Sequence, residues 1–291
     1  MKKKLLLLAL ALLLCIGSAS AQTAETEFAL FKRTVAPVMK WGENGLITVP
    51  KATTLGKANF FVGIQGQKAG ELEGLGLYLT SASILAGTSD DVELGYTRRQ
   101  LIWEDLYFTN LSMDTFHLKT RFLNFGKYLI PQLAIGMNAV SLVDNKFENR
   151  NDILFNPYLV ATSTLPIFSE KLGLISVTAL AETIMNENAL GTIQFSGGVD
   201  LNLFGFLYAA AEIQGFNPTT PNNEVVNLGA KVKLGIFSAG VGAVNIIRTK
   251  DTTGDLLHNA ESSEFNLENM DWVATLAVDI PLGNMFASKK N

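Results

Sequence analysis

The 291 residues carry 23 basic and 27 acidic side chains, a formal charge of −4, and 48% of them are hydrophobic against 17% charged. So few cations argue against nucleic acid as a partner, because phosphate contacts need a basic surface. Cys15 is the single cysteine, which leaves neither a disulfide framework nor a cysteine-liganded metal site to build the fold around.

The chain opens on Met1-Lys2-Lys3-Lys4, continues with an apolar run from Leu5 to Ile16, and reaches Gly17-Ser18-Ala19-Ser20-Ala21. A basic start, a short apolar core and an Ala-x-Ala exit predict a signal peptide over residues 1–21. Its apolar run is well short of the roughly 20 residues a helix needs to cross the hydrocarbon core. Leu14 precedes Cys15, whereas a lipid-modified cysteine normally follows a small residue, so cleavage after Ala21 is the expectation. Loss of Lys2, Lys3 and Lys4 leaves 20 basic against 27 acidic residues and a more negative mature chain.

Residues 22–57 are mixed in character and read as a periplasmic lead-in. A short helix over 25–33 is expected, with Pro37 and Gly42 ending regularity soon after. A flexible segment, a cap on the mouth of the fold and a plug inside it are all compatible with this composition. Within it lies Gly45-Leu46-Ile47-Thr48-Val49-Pro50-Lys51-Ala52-Thr53-Thr54-Leu55-Gly56-Lys57. This stretch resembles the lead-in to the first strand of outer-membrane proteins related to the exopolysaccharide-associated barrel family, where Gly-Leu-Ile-x-x-Pro-x-Ala precedes a Gly-rich strand. The resemblance implies a Gram-negative outer-membrane barrel. It carries no polysaccharide role, and this chain is shorter than the long members of that family.

From residue 58 onward the dominant signal is a period of two. Val92, Leu94 and Tyr96 alternate with Glu93, Gly95 and Thr97, and Phe116, Leu118 and Phe122 alternate with His117, Lys119 and Arg121. Ile193, Phe195, Val199 and Leu201 oppose Gln194, Ser196, Gly198, Asp200 and Asn202. Val226, Leu228, Ala230, Val232 and Leu234 oppose Asn227, Gly229, Lys231 and Lys233. Strands are predicted at 58–66, 73–81, 91–100, 114–123, 131–142, 152–165, 173–184, 192–202, 206–215, 224–234, 237–247 and 271–281. Most approach the 9 to 11 residues of a tilted membrane strand. The fold class that follows is an all-β antiparallel transmembrane barrel of about 12 strands, within a range of 10 to 14, occupying 58–291. A secreted β-sandwich or soluble barrel also alternates, but charges there would not be confined to one face of strands of membrane length.

Connections support the same reading. They are compact after even-numbered strands, at 87–90, 124–127, 168–171, 204–205 and 235–236, and longer after most odd-numbered ones, at 101–113, 143–151, 216–223 and 248–270. Short turns at one end and long loops at the other are the outer-membrane arrangement, with both termini periplasmic. Phe122, Phe125, Tyr128, Phe168, Phe204, Phe206 and Phe237 fall at the short-turn end, and Trp103, Tyr107, Phe155, Phe195, Phe216 and Trp272 toward the other, as two aromatic girdles.

Candidate chemistry is sparse. His117 and His258 are the only histidines; His117 lies on the polar face as a lumen-lining group rather than a nucleophile's partner. His258 sits in the longest loop near Asp251, Asp255 and Glu261, where an outer-membrane hydrolase would place a site, though polar loops collect such residues without catalysing anything. Asp90 and Asp91, and Asp144, Asn145 and Glu148, read as turn formers, since no full calcium-loop pattern surrounds them. The expectation is a protein that is no enzyme and carries no cofactor.

The residues expected to line the lumen are Glu93, His117, Lys119, Arg121, Glu182, Asp200, Glu212, Lys231, Lys233 and Asp279. They would pair with one another or form a selective constriction. Inward Gly63, Gly95, Gly136, Gly198 and Gly229 would keep space open. Twelve strands give a narrow lumen, so passive diffusion of small hydrophilic solutes or ions is the leading expectation. A structural or adhesive barrel acting through its loops at 101–113 and 248–270 is the alternative, and a loop hydrolase the third. Expected partners are outer-membrane lipid, small hydrophilic solutes, and the barrel-assembly machinery and periplasmic chaperones during biogenesis.

Overall fold

The structure, a computed structural model, describes residues 44–72, 75–103, 108–125, 128–144, 153–167, 172–185, 191–217, 224–248 and 271–282. The predicted leader, the helix over 25–33 and the loop bearing His258 lie outside them.

Twelve strands form the wall: β1 (Asn59–Leu72), β2 (Leu75–Gly87), β3 (Val92–Trp103), β4 (Phe108–Leu123), β5 (Gln132–Asp144), β6 (Ile153–Pro166), β7 (Gly173–Glu182), β8 (Gln194–Leu203), β9 (Leu207–Phe216), β10 (Val225–Leu234), β11 (Phe237–Arg248) and β12 (Asp271–Pro281). Each pairs with its sequence neighbours, and β1 closes on β12 antiparallel, from Asn59 opposite Pro281 to Gln67 opposite Val273. Closure removes both sheet edges and rules out stacked open sheets.

The alternation read from the sequence is the alternation of the wall, turned inside out relative to a soluble protein. Phe116, Val241, Leu276 and Ile64 are each more than half exposed, while Glu93, Lys119, Thr115 and Asn138 are fully buried. Apolar surface pointing outward around a closed ring, over polar groups pointing inward, is stable where the outer solvent is hydrocarbon. Aromatic side chains mark both ends of that band. Phe204 and Phe206 stack at 6.0 Å at the short-turn end, and Tyr78 lies 6.2 Å from Trp272 toward the other.

The tightest turns follow the local sequence. Phe204 and Gly205 both take positive φ (54° and 71°), the two-residue geometry whose twist matches a hairpin. Gly235 alone does so (63°) in the next short turn.

Two expectations need correction. The long loop predicted at 101–113 is mostly strand: β3 runs on to Trp103 and β4 begins at Phe108, so four residues join them. The reason is that the ladder runs on to Ile102 opposite Phe108, across a register shift that interrupts the period of two. Arg98 pairs opposite Asp114 and Gln100 opposite Ser112, and Asp114 also accepts a 2.7 Å hydrogen bond from Tyr96 Oη. Likewise β1 and β2 reach Leu72 and Leu75, so an odd-numbered strand here ends in a short connection. The second correction is that the inward face is not polar throughout: Ala134, Tyr158, Val160, Leu180, Tyr208, Ala210, Val244 and Val273 point into the barrel and are buried there. Apolar groups facing a wet lumen are unstable unless something apolar covers them, and what covers them is the chain's own segment ahead of β1.

Candidate functional site in the barrel lumen

Residues 44–55 lie inside the barrel. Asn44 to Lys51 form a narrow hairpin, closed by Leu46 N–H to the Val49 carbonyl (2.8 Å), Lys51 N–H to the Asn44 carbonyl (3.0 Å) and a bridge between Gly45 and Pro50. Its apolar side chains Leu46, Ile47, Val49 and Ala52 pack among the inward apolar residues of the wall, and Leu55 packs with Phe61, Leu85 and Ala277.

The hairpin crosses the lumen from one wall to the other. At its base, Glu93 of β3 takes both arms: one carboxylate oxygen accepts from Asn44 N–H (3.4 Å) and the other from Leu55 N–H (3.0 Å). Lys119 of β4 sits 3.1 Å from the same carboxylate and also donates to the Asn44 carbonyl at 3.4 Å, with His117 Nε2 3.8 Å from it. At the tip, Glu212 of β9 accepts from three consecutive backbone amides, Ile47 (3.0 Å), Thr48 (3.0 Å) and Val49 (3.1 Å), and from the Thr48 hydroxyl. Asn227 of β10 donates to it from the wall at 2.7 Å. β3 and β9 stand six positions apart in either direction round the ring, so this strap runs along a diameter.

Between those ends the strap is fastened by polar contacts. Lys51 Nζ reaches Asp200 at 2.7 Å and Ser176 at 3.2 Å, and Ala52 N–H donates to Thr162 Oγ1 at 3.0 Å. Lys231 Nζ donates to the Leu46 carbonyl at 2.8 Å and lies 5.2 Å from the Tyr208 ring. The Leu46 carbonyl and the Val49 N–H thus both bond to the wall. Where the strap leaves the lumen, Thr54 Oγ1 donates to the Asp90 carbonyl (2.6 Å) and Lys57 N–H to Asp90 Oδ1 (3.2 Å).

All ten residues predicted for the lumen face inward, in three groups. Glu93, His117, Lys119, Asp200, Glu212 and Lys231 surround the strap. Arg121 pairs with Asp91 (2.8 Å), and Lys233 with Asp279, both toward the short-turn end. Glu182 accepts a 3.0 Å hydrogen bond from Asn156 on the β6–β7 wall. The charges thus pair in part with each other and in part with the strap, which the sequence reading did not include as a partner. Asp90 and Asp91 act as the turn residues they were expected to be. Among the described residues no group of three or more His, Cys, Asp or Glu side chains is placed to hold a metal.

The inward glycines do not leave the lumen empty. A β-carbon on Gly198 would lie 2.6 Å from Leu46 Cδ1, and one on Gly229 would lie 2.9 Å from Ile47 Cγ1. Gly95 and Gly136 are covered by their cross-strand partners His117 and Tyr158, and Gly63 by the Phe61 ring. Two of the five are thus notches for the hairpin tip and three are seats for wall side chains.

No protein-family model matches the chain, and no curated protein does. Among solved structures the chain is similar to the KdgM porin, with TM-score 0.49 and 8% identity over 75% of this chain and 98% of that one. It is also similar to the translocator domain of the autotransporter NalP from Neisseria meningitidis, with TM-score 0.36 and 14% identity over 77% and 88% of the two chains. A mutant porin of Rh. blastica gives TM-score 0.25 and 10% identity over 77% and 99%.

Proposed function

We propose that this chain is a Gram-negative outer-membrane barrel whose narrow lumen passes small hydrophilic solutes or ions, with residues 44–55 as its gate. The observation that carries the reading is the strap itself, a covalently tethered segment lying along the lumen's diameter and held by hydrogen bonds and ion pairs along its length as well as by apolar packing. Eight strands leave an interior that side chains alone fill, whereas twelve leave room for more. In this chain a separate segment takes up that room. Wall contacts of this polar kind are exchangeable for water, because a net hydrogen bond is worth only about 1 kcal/mol when water can replace it. With the strap seated the barrel is closed, and with it withdrawn the inward charged and polar groups line a wet path beside the apolar patch the strap had covered. No catalytic group is assigned to the barrel, and its partners in biogenesis are lipid and the assembly machinery with its periplasmic chaperones.

Planar-bilayer recording of the full-length barrel and of a variant lacking residues 44–55 tests this. The full chain is expected to be silent apart from rare openings, and the deletion to conduct steadily. A deletion variant that inserts, keeps heat-modifiable migration and still carries no current would overturn the pore and leave a closed structural or adhesive barrel.

A further inference from the structure

The strap tip has the construction of an anion receptor. Three successive amides, of Ile47, Thr48 and Val49, converge on one carboxylate, the Thr48 hydroxyl adds a fourth donor, and Lys231 places a cation on the adjoining Leu46 carbonyl. Concave runs of backbone N–H groups bind carboxylates and phosphates because their dipoles add and cost no side-chain ordering. The occupant here is Glu212, a side chain of the opposite wall, about 160 residues away along the chain by sequence separation (165 from Ile47). Receptor and ligand are therefore separate bodies brought together by the fold, and they part when the strap withdraws.

We infer that the tip of residues 46–49 is a binding site for small oxyanions, carboxylate or phosphate, that compete with Glu212 for the same amides. The inference rests on the gate reading above and names the effector of that gate. An anion can occupy the tip of the native chain only after Glu212 has let go, so anions bind the withdrawn state and shift the balance toward it by mass action. In a Glu212→Ala chain the seated tip is itself vacant, and Asn227 remains on the wall beside it. There the same anion bridges tip to wall and holds the strap in.

The two backgrounds must respond with opposite signs. Seating is read from the labelling of Ala52→Cys, in a Cys15→Ser background, by a water-soluble maleimide. Ala52 is a fully buried residue of the strap itself, so labelling reports withdrawal without any current being measured. Replacing chloride with acetate, or separately with inorganic phosphate, at constant ionic strength is expected to raise labelling of the chain with native Glu212 severalfold. The same exchange is expected to lower it severalfold in the Glu212→Ala chain. Glu212→Gln, which retains one acceptor oxygen, is expected to lie between them and serves if the alanine chain folds poorly. Labelling that ignores anion identity in both backgrounds would overturn the receptor while leaving the gate standing. Rapid labelling of the native chain that is also indifferent to Glu212 would overturn the gate first.

Discussion

Glu93 and Glu212 are both buried carboxylates, both accept backbone amides of the same hairpin, and they stand on opposite walls. Yet they are not equivalent. Glu93 has a cation of its own wall beside it, Lys119 at 3.1 Å, so its charge is compensated whether or not the strap is present. The hydrogen bonds of Glu212 come from Asn227 on the wall and four donors on the strap, while the wall cation that interacts with it, Lys231, donates its hydrogen bond to the strap's Leu46 carbonyl. The base anchor is thus part of the barrel, and the tip anchor is part of the junction. Covalent geometry points the same way, since the chain enters the wall at β1 close to the base and has no covalent link to the wall at the tip. The strap should leave tip first, hinging about Glu93.

The largest expected effect is on stability at the base. Glu93→Leu strips Lys119 of its carboxylate, and breaking a buried pair by removing one partner costs about 3–5 kcal/mol. Urea unfolding of the barrel should report most of that loss. Little change there would show that Lys119 finds another partner and that Glu93 is no more structural than Glu212. Glu212→Ala comes next and should act on the gate rather than the wall. The tip loses its acceptor for three amides, which at about 1–3 kcal/mol for a buried donor left unpaired predicts at least a tenfold rise in Ala52→Cys labelling. Its unfolding midpoint should fall less than that of Glu93→Leu, and a reversed order would break the comparison.

Smaller still is the effect of filling a notch. Gly229→Val puts side-chain atoms where Ile47 sits. Overpacking costs about 1–3 kcal/mol, but this tip can move away, so most of the strain should emerge as withdrawal. Labelling is expected to rise severalfold with the barrel's unfolding unchanged. A stable, unlabelled variant would place the tip elsewhere in solution.

How much of this was legible in the sequence divides along the same line. The wall was readable because a strand's two faces are written two residues apart. The outward apolar band, the inward direction of all ten polar candidates and the turn at Phe204-Gly205 follow from that period alone. Strand ends in β1 to β4 were not, since the ladders there run on across register shifts, between Lys68 and Gly70 and between Gln100 and Ile102, that interrupt the period of two. The strap was legible only as a short motif, Gly45 to Ala52, with no sign of where it goes. Its location depends on contacts more than a hundred residues distant, such as Lys51 with Asp200. A signal was nevertheless present on the wall. Val160 and Leu180 fall on faces that should be wet, and Gly198 and Gly229 leave notches there. Apolar groups and missing side chains on an inward face together call for an apolar occupant.

The finest separation of tip from base comes from Lys231. Its ammonium donates to the Leu46 carbonyl at 2.8 Å and has the Tyr208 ring at 5.2 Å, so Lys231→Met keeps most of the packing and removes one hydrogen bond to the strap. The amides on Glu212 are untouched. One net hydrogen bond at about 1 kcal/mol corresponds to roughly a fivefold rise in labelling of Ala52→Cys, below the effect of Glu212→Ala. Should the two variants release the strap equally, the tip would be held by its cation as much as by its carboxylate. In the double variant Lys231→Met with Glu212→Ala, the effects should then fall short of adding, since contacting groups share their energy. Full additivity would instead mean that carbonyl and amides are held independently, with Glu212 still the stronger hold.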